Sequence, residues 1–283
     1  MITNRKYKDS VFSRLFSRPD TIRELYGALA GITLSPDIPI TINTLEGVLF
    51  KGRMNDLSFL IGGVLVILLE HQSTINENMP LRLLLYIANI YEAFTGKRDL
   101  YRSRLLSLPR PEFIVLYNGK KPYPDENVLK LSDAFRDPSE LGLDFKPEVP
   151  LELKVKVYNI NPGHNDAIIR RCKTLGDYSA FIEKVRDYGG ERKNREEAIK
   201  RAIKDCVRQD ILKDFLESHS KEVMNMLLTE WNWDDALAVS KEEGWEEGRE
   251  EGRREAAAEY AEQIRRLEEE NRRLREIRSS KTE

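Results

Sequence analysis

The strongest constraint on the fold is a mostly apolar stretch from Leu57 to Leu69, broken by Gly62-Gly63 and ending abruptly in Glu70-His71-Gln72. The run is too short to cross a bilayer, and turn residues punctuate it, so it reads as strand rather than membrane helix. Taken with Ile38 and the residues after it, the segment predicts three strands, the last of them heavily buried. A carboxylate at the end of such a strand is an unusual place for charge.

Side chains alternate along a strand, so Glu70 and Gln72 share one face while His71 takes the other. Asp56 lies fourteen positions before Glu70, at the mouth of the preceding strand. In an antiparallel hairpin the two carboxylates would converge into an oxygen-rich site suited to Mg²⁺ or Mn²⁺. A bound divalent ion acidifies water and offsets phosphate charge. Parity decides whether they meet. A strict two-residue Gly62-Gly63 turn would set Asp56 opposite Leu69, so the pair requires an odd-length loop or a bulge, which glycine at positive φ permits. The odd register is the expectation. The plainer alternatives are that Glu70 faces solvent or pairs with an arginine, and that Asp56 after Asn55 is a turn residue.

Around the hairpin the pattern alternates between helix and strand. Val11, Phe12, Leu15, Phe16, Ile22, Leu25, Tyr26 and Leu29 recur at helical intervals broken near Pro19, which predicts two helices or one bent one. Pro80 opens a helix whose apolar stripe reads Leu81, Leu84, Leu85, Ala88 and Tyr91 and which ends near Gly96. A basic stretch follows (Lys97, Arg98, Arg102, Arg104, Arg110). Strands are expected at 112–117 and 151–160, separated by a Pro- and Asp-rich loop. From His164 onward the pattern is helical, with breaks at Gly176 and Gly189-Gly190. The order α, βββ, α, β, β defines an α/β core over 1–162, a helical region over 163–240 and a charged helical tail over 241–283. Within the tail, Tyr260, Ile264, Leu267, Asn271 and Leu274 form a short heptad seam. That seam fits either a parallel homodimeric coiled coil or a solvated charged helix.

Composition narrows the function classes. With 46 basic and 48 acidic side chains the formal net charge is -2, which excludes a uniformly basic nucleic-acid coat but leaves room for a local basic groove. The basic residues from Lys97 to Arg110 could supply one, or could be a solvated helix end. Cys172 and Cys206 match no metal-ligand spacing and point to a reduced, cytoplasmic chain with buried thiols. The N-terminus shows no secretion signal, and no membrane association is expected. Three scattered histidines argue against a zinc hydrolase: His71 suits packing, His164 a loop or cap, and His219 a helix surface. No phosphate loop of the GKS/T type occurs.

The segments YKDSVFSRLF, NDLSFLI and LLEHQSTINENMPLRLLLYIANIYE resemble the recombination-promoting nuclease (Rpn) family, a branch of the PD-(D/E)XK nuclease superfamily. The resemblance extends over roughly residues 5 to 240. It implies a restriction-endonuclease-like core of helix, antiparallel β-hairpin, helix and further strands, and a metal-dependent site that cuts DNA phosphodiesters. Carried onto this chain, Asp56 becomes the first motif acid and Glu70 the second. Gln72 stands where the superfamily more often has lysine, and Asp9 on the first helix is a further metal-ligand candidate. A neutral amide can orient water or phosphate but supplies no positive charge. The missing charge would come from Arg82, which with Tyr86 and Asn89 forms a polar stripe opposite the Leu-rich side of its helix. The expected function is a Mg²⁺-dependent DNA endonuclease acting in recombination or mobile-element transfer. The alternative is a non-catalytic nuclease-fold scaffold that assembles through its C-terminal helix.

Overall fold

The computed structural model describes residues 10–42, 57–95, 99–142, 148–189 and 195–229, together with scattered helical positions between 249 and 266. Asp9 and Asp56 lie outside the described residues. The chain divides into two units, Met1–Leu228 and Thr229–Glu283. In the second unit Tyr260 and Ile264 are helical and exposed; the rest of the heptad seam lies outside the described residues.

The first unit opens with two short helices, α1 (Val11–Leu15) and α2 (Pro19–Ala30), split where Pro19 cannot supply an amide to a continuing helix. Ser10 caps α1 by accepting from the Ser13 N–H at 3.0 Å. Six strands follow: β1 (Ile40–Ile42), β2 (Leu57–Ile61), β3 (Leu65–Gln72), β4 (Arg110–Tyr117), β5 (Glu126–Lys130) and β6 (Lys154–Asn159). They form one sheet in the order β1-β2-β3-β4-β6-β5. β1, β2 and β3 run antiparallel, β3, β4 and β6 run parallel, and β5 closes the edge antiparallel to β6. The hydrophobic runs of β3 and β4 follow from this arrangement, since interior parallel strands are covered on both faces.

Helix α3 (Met79–Phe94) makes the crossover from β3 to β4. It covers one face, packing Met79, Leu83, Tyr86, Ile87 and Ile90 against Val66, Leu68, Val115, Val155 and Val157. The opposite face of β3, carrying Ile67, Leu69 and His71, meets Phe12 of α1 and Tyr178 of α5 (Lys173–Tyr188). Helices α4 (Asp166–Arg171) and α6 (Arg195–Arg208) also belong to this unit, and a further helix over 213–229 runs to its end. Among the described residues no helix is long and apolar enough to cross a membrane. Both cysteines are free and fully buried.

Three readings of local structure need correction. Gly176 does not break a helix: it lies inside α5, where a Cβ would come within 2.9 Å of Ile169 Cγ2, so glycine allows α4 and α5 to approach. The segment taken as loop contains β5, an edge strand of alternating half-buried and exposed residues. The third correction concerns α3. Its buried face is Met79, Leu83, Tyr86, Ile87 and Ile90, whereas Leu81 and Leu85 are exposed. Leucines surround this helix, so spacing alone did not choose the inward face. The orientation found turns Tyr86 into the core and brings Arg82 to the sheet.

Candidate active site

The β2–β3 hairpin pairs Ile61 with Leu65 and Leu57 with Leu69, leaving the three-residue loop Gly62-Gly63-Val64. Gly62 and Gly63 adopt φ of 58° and 72°, which β-carbon-bearing residues rarely adopt. This is the odd-length connection that the meeting of the two acids demanded. Ser58 lies opposite Leu68 and Leu60 opposite Val66, which places both on the α3 side of the sheet. Ser58 Oγ is buried and has no hydrogen-bond partner among the described residues.

Glu70 belongs to that same face. It follows Val66 and Leu68 at period two and sits beside Val115 of β4. Only 3% of the residue is exposed, a costly position for a carboxylate without charge-assisted bonding. Arg82, in the first turns of α3, supplies it, with Nη2 3.3 Å from Glu70 Oε2. The same nitrogen lies 3.4 Å from Tyr86 Oη, and Nη1 lies 3.3 Å from Met79 Sδ. Gln72, two residues beyond Glu70, directs Nε2 to Met79 Sδ at 2.7 Å. The buried thioether of Met79 therefore faces both polar side chains. The site so described joins Glu70, Gln72 and Arg82, with Tyr86 and Met79 as buttresses. Met79 was missed in the sequence because a methionine at a helix start reads as core filling; the signal was its place one residue before the Pro80 that opens the helix.

His71 lies on the other face. Its ring stacks on Phe12 at 5.2 Å between centroids, and its Nε2 is 3.3 Å from Tyr178 Oη. Burial disfavours the imidazolium, Arg186 adds repulsion, and together they push the pKa down to about 3. It is a neutral packing residue. His164 precedes α4 and lies 2.6 Å from Asp125, and His219 lies on the helix over 213–229.

Of the basic stretch, Arg110 stands away from this site. Arg110 begins β4 beside Leu65, at the other end of β3 from Glu70, about 17 Å away at strand rise. Arg102 pairs with Asp99 at 3.0 Å. Lys97 and Arg98 lie outside the described residues.

A single described carboxylate does not make a metal centre, and among the described residues no group of three or more His, Cys, Asp or Glu side chains is assembled for one. The donor chemistry nevertheless suits a hard cation: a carboxylate on a nearly dry sheet face, with no thiol or imidazole turned toward it.

The architecture is that of a mixed α/β protein compatible with a nuclease-like fold. Residues 49–154 match the family model described as "Putative transposase, YhgA-like", so this stretch of the chain is similar to that family. The matched stretch contains Asp56, Glu70, Gln72 and Arg82. No curated protein and no solved structure matches the chain.

Proposed function

We propose that the protein is a metal-dependent nuclease that hydrolyses DNA phosphodiester bonds, with recombination or mobile-element transfer as its setting. The observation supporting this reading is the hairpin register, in which Leu57 pairs with Leu69; continued by one residue, that register would bring Asp56 opposite Glu70 on one face. Asp56 and Glu70 would then hold Mg²⁺ or Mn²⁺, with Asp9 a further candidate ligand. When bound, such an ion supplies a more acidic water and neutralises charge on the phosphate. The remaining roles belong to the chain itself. Arg82 is one-third exposed, so its guanidinium can face both Glu70 and an incoming phosphate. Gln72, with its amide nitrogen against Met79, presents a carbonyl oxygen that can accept from a water and so orient it.

The test is cleavage of supercoiled plasmid by full-length protein in Mg²⁺ or Mn²⁺, compared with Asp56→Asn and Glu70→Gln, with thermal melts to establish that each variant folds. Cleavage lost in both folded variants supports the reading. Inert parent protein, or variants that cut as fast as the parent, refutes it. One observation favours the scaffold alternative: Arg82 already engages Glu70 Oε2, a contact that stabilises the fold without chemistry. An inert parent whose solution mass is that of a dimer would select that reading, with the exposed side chains of Tyr260 and Ile264 as candidate contacts.

A further inference from the structure

The parallel strands β3, β4 and β6 all end at one edge of the sheet, and Gln72 and Glu70 lie at that edge. Crevices outside the carboxyl ends of parallel strands are where α/β sheets usually bind ligands. The chain leaving β4 there makes the turn Asn118-Gly119-Lys120-Lys121, held unusually firmly for a loop. Asn118 N–H donates to Gln72 O at 2.9 Å. Arg186 donates to Asn118 O, Asn161 Nδ2 donates to Gly119 O at 3.1 Å, and Tyr117 Oη donates to Lys121 O at 2.8 Å. Gly119 presses on the chain just past Gln72: a Cβ there would lie 2.3 Å from Ser73 O.

Two consequences follow for electrostatics. Three carbonyls of the turn are satisfied by protein donors, so these acceptors are turned away from solvent. The outward groups are the ammonium heads of Lys120 and Lys121, both exposed and neither ion-paired among the described residues. The nearby acid Asp125 is engaged by His164. Two exposed lysines carried on a backbone turn that is tied to Gln72 through Asn118 fit a polyanion whose charges repeat at short intervals, as phosphates do at about 3.4 Å per nucleotide along each strand.

Resting on the nuclease reading above, we propose that the 118–121 turn is the phosphate-backbone contact of the substrate, with Lys120 and Lys121 gripping DNA phosphates that flank the scissile one. Each phosphate neutralised adds about 0.9 to the slope of log affinity against log salt. Removing both lysines should lower that slope by about 1.8, so the fourfold salt change from 50 to 200 mM weakens the variant about 12-fold less than the parent.

The experiment is fluorescence anisotropy of a labelled duplex in EDTA, with full-length parent, Lys120→Ala/Lys121→Ala, and Lys130→Ala/Lys154→Ala. The last pair removes the same charge from the opposite end of the β5–β6 ladder. The proposal expects the slope to fall in the first variant only. A parent that binds and cuts DNA, with both variants matching it or both reduced alike, overturns this inference and leaves the nuclease reading standing. A parent that neither binds nor cuts overturns both.

Discussion

His71 offers a quantitative check on how β3 is buried. Its imidazole lies between Phe12 and Tyr178, and its pKa is held near about 3, against about 6.5 in an unfolded chain. The folded state thus excludes a proton that the unfolded chain accepts. Stability from this residue is complete above pH 6.5 and falls as pH drops from 6.5 toward 3, because there the unfolded state binds more protons. Between pH 7 and 5 the loss is RT times the logarithm of the ratio of unfolded-state binding polynomials, about 1.9 kcal/mol. Since pH 5 lies well above the folded pKa, the unfolded imidazole alone sets this figure. His71→Phe keeps a ring against Phe12 and removes the titration. Urea unfolding of both proteins at pH 7 and pH 5 in EDTA should show the parent losing about 1.9 kcal/mol more than the variant. Equal losses would mean that His71 is as protonatable in the folded chain as in water, and the packing described for this face would be wrong.

Met79→Leu conserves volume and should cost under about 1.5 kcal/mol in stability. It deprives Gln72 and Arg82 of their sulfur contact, so cleavage should slow on the order of tenfold; an unchanged rate in a plasmid-nicking time course would make Met79 mere filling. Gly119→Ala should destabilise by about 1–3 kcal/mol through overpacking against Ser73 and Tyr117, read as a lower urea midpoint; an unshifted midpoint would refute the close approach. A double-mutant cycle of Glu70→Gln and Arg82→Ala should give a coupling of about 1–2 kcal/mol. That range lies between a bond to a buried charge and a screened surface pair, because the guanidinium is one-third exposed. Additive effects would show that the 3.3 Å contact does not form in solution.

Much of this arrangement was legible in residue order because it is local. Gly62-Gly63 marked the hairpin, and the alternation of Glu70, His71 and Gln72 assigned their faces, since both depend on backbone geometry shared by every strand. Pro19 and Pro80 marked helix boundaries for the same reason. What escaped was set by distant contacts. Leucines on every side of α3 gave no preferred face, and only packing on β3, β4 and β6 turned Tyr86 inward and Leu81 outward. β5 was hidden by Pro122, Pro124 and Asp125 before a short, half-exposed edge strand. The turn at 118–121 had no signal beyond Asn-Gly, because its partners are brought to it from a distance: Gln72 and Asn161 by the sheet and Arg186 by α5.

The proposed sharing of one hard cation by Asp56 and Glu70 is open to measurement by Mn²⁺ binding followed with electron paramagnetic resonance. Full-length protein should take up Mn²⁺ at one high-affinity site, and both Asp56→Asn and Glu70→Gln, folded by thermal melt, should lose that site. A parent that binds no Mn²⁺, or variants that bind it as tightly as the parent, would contradict the claim.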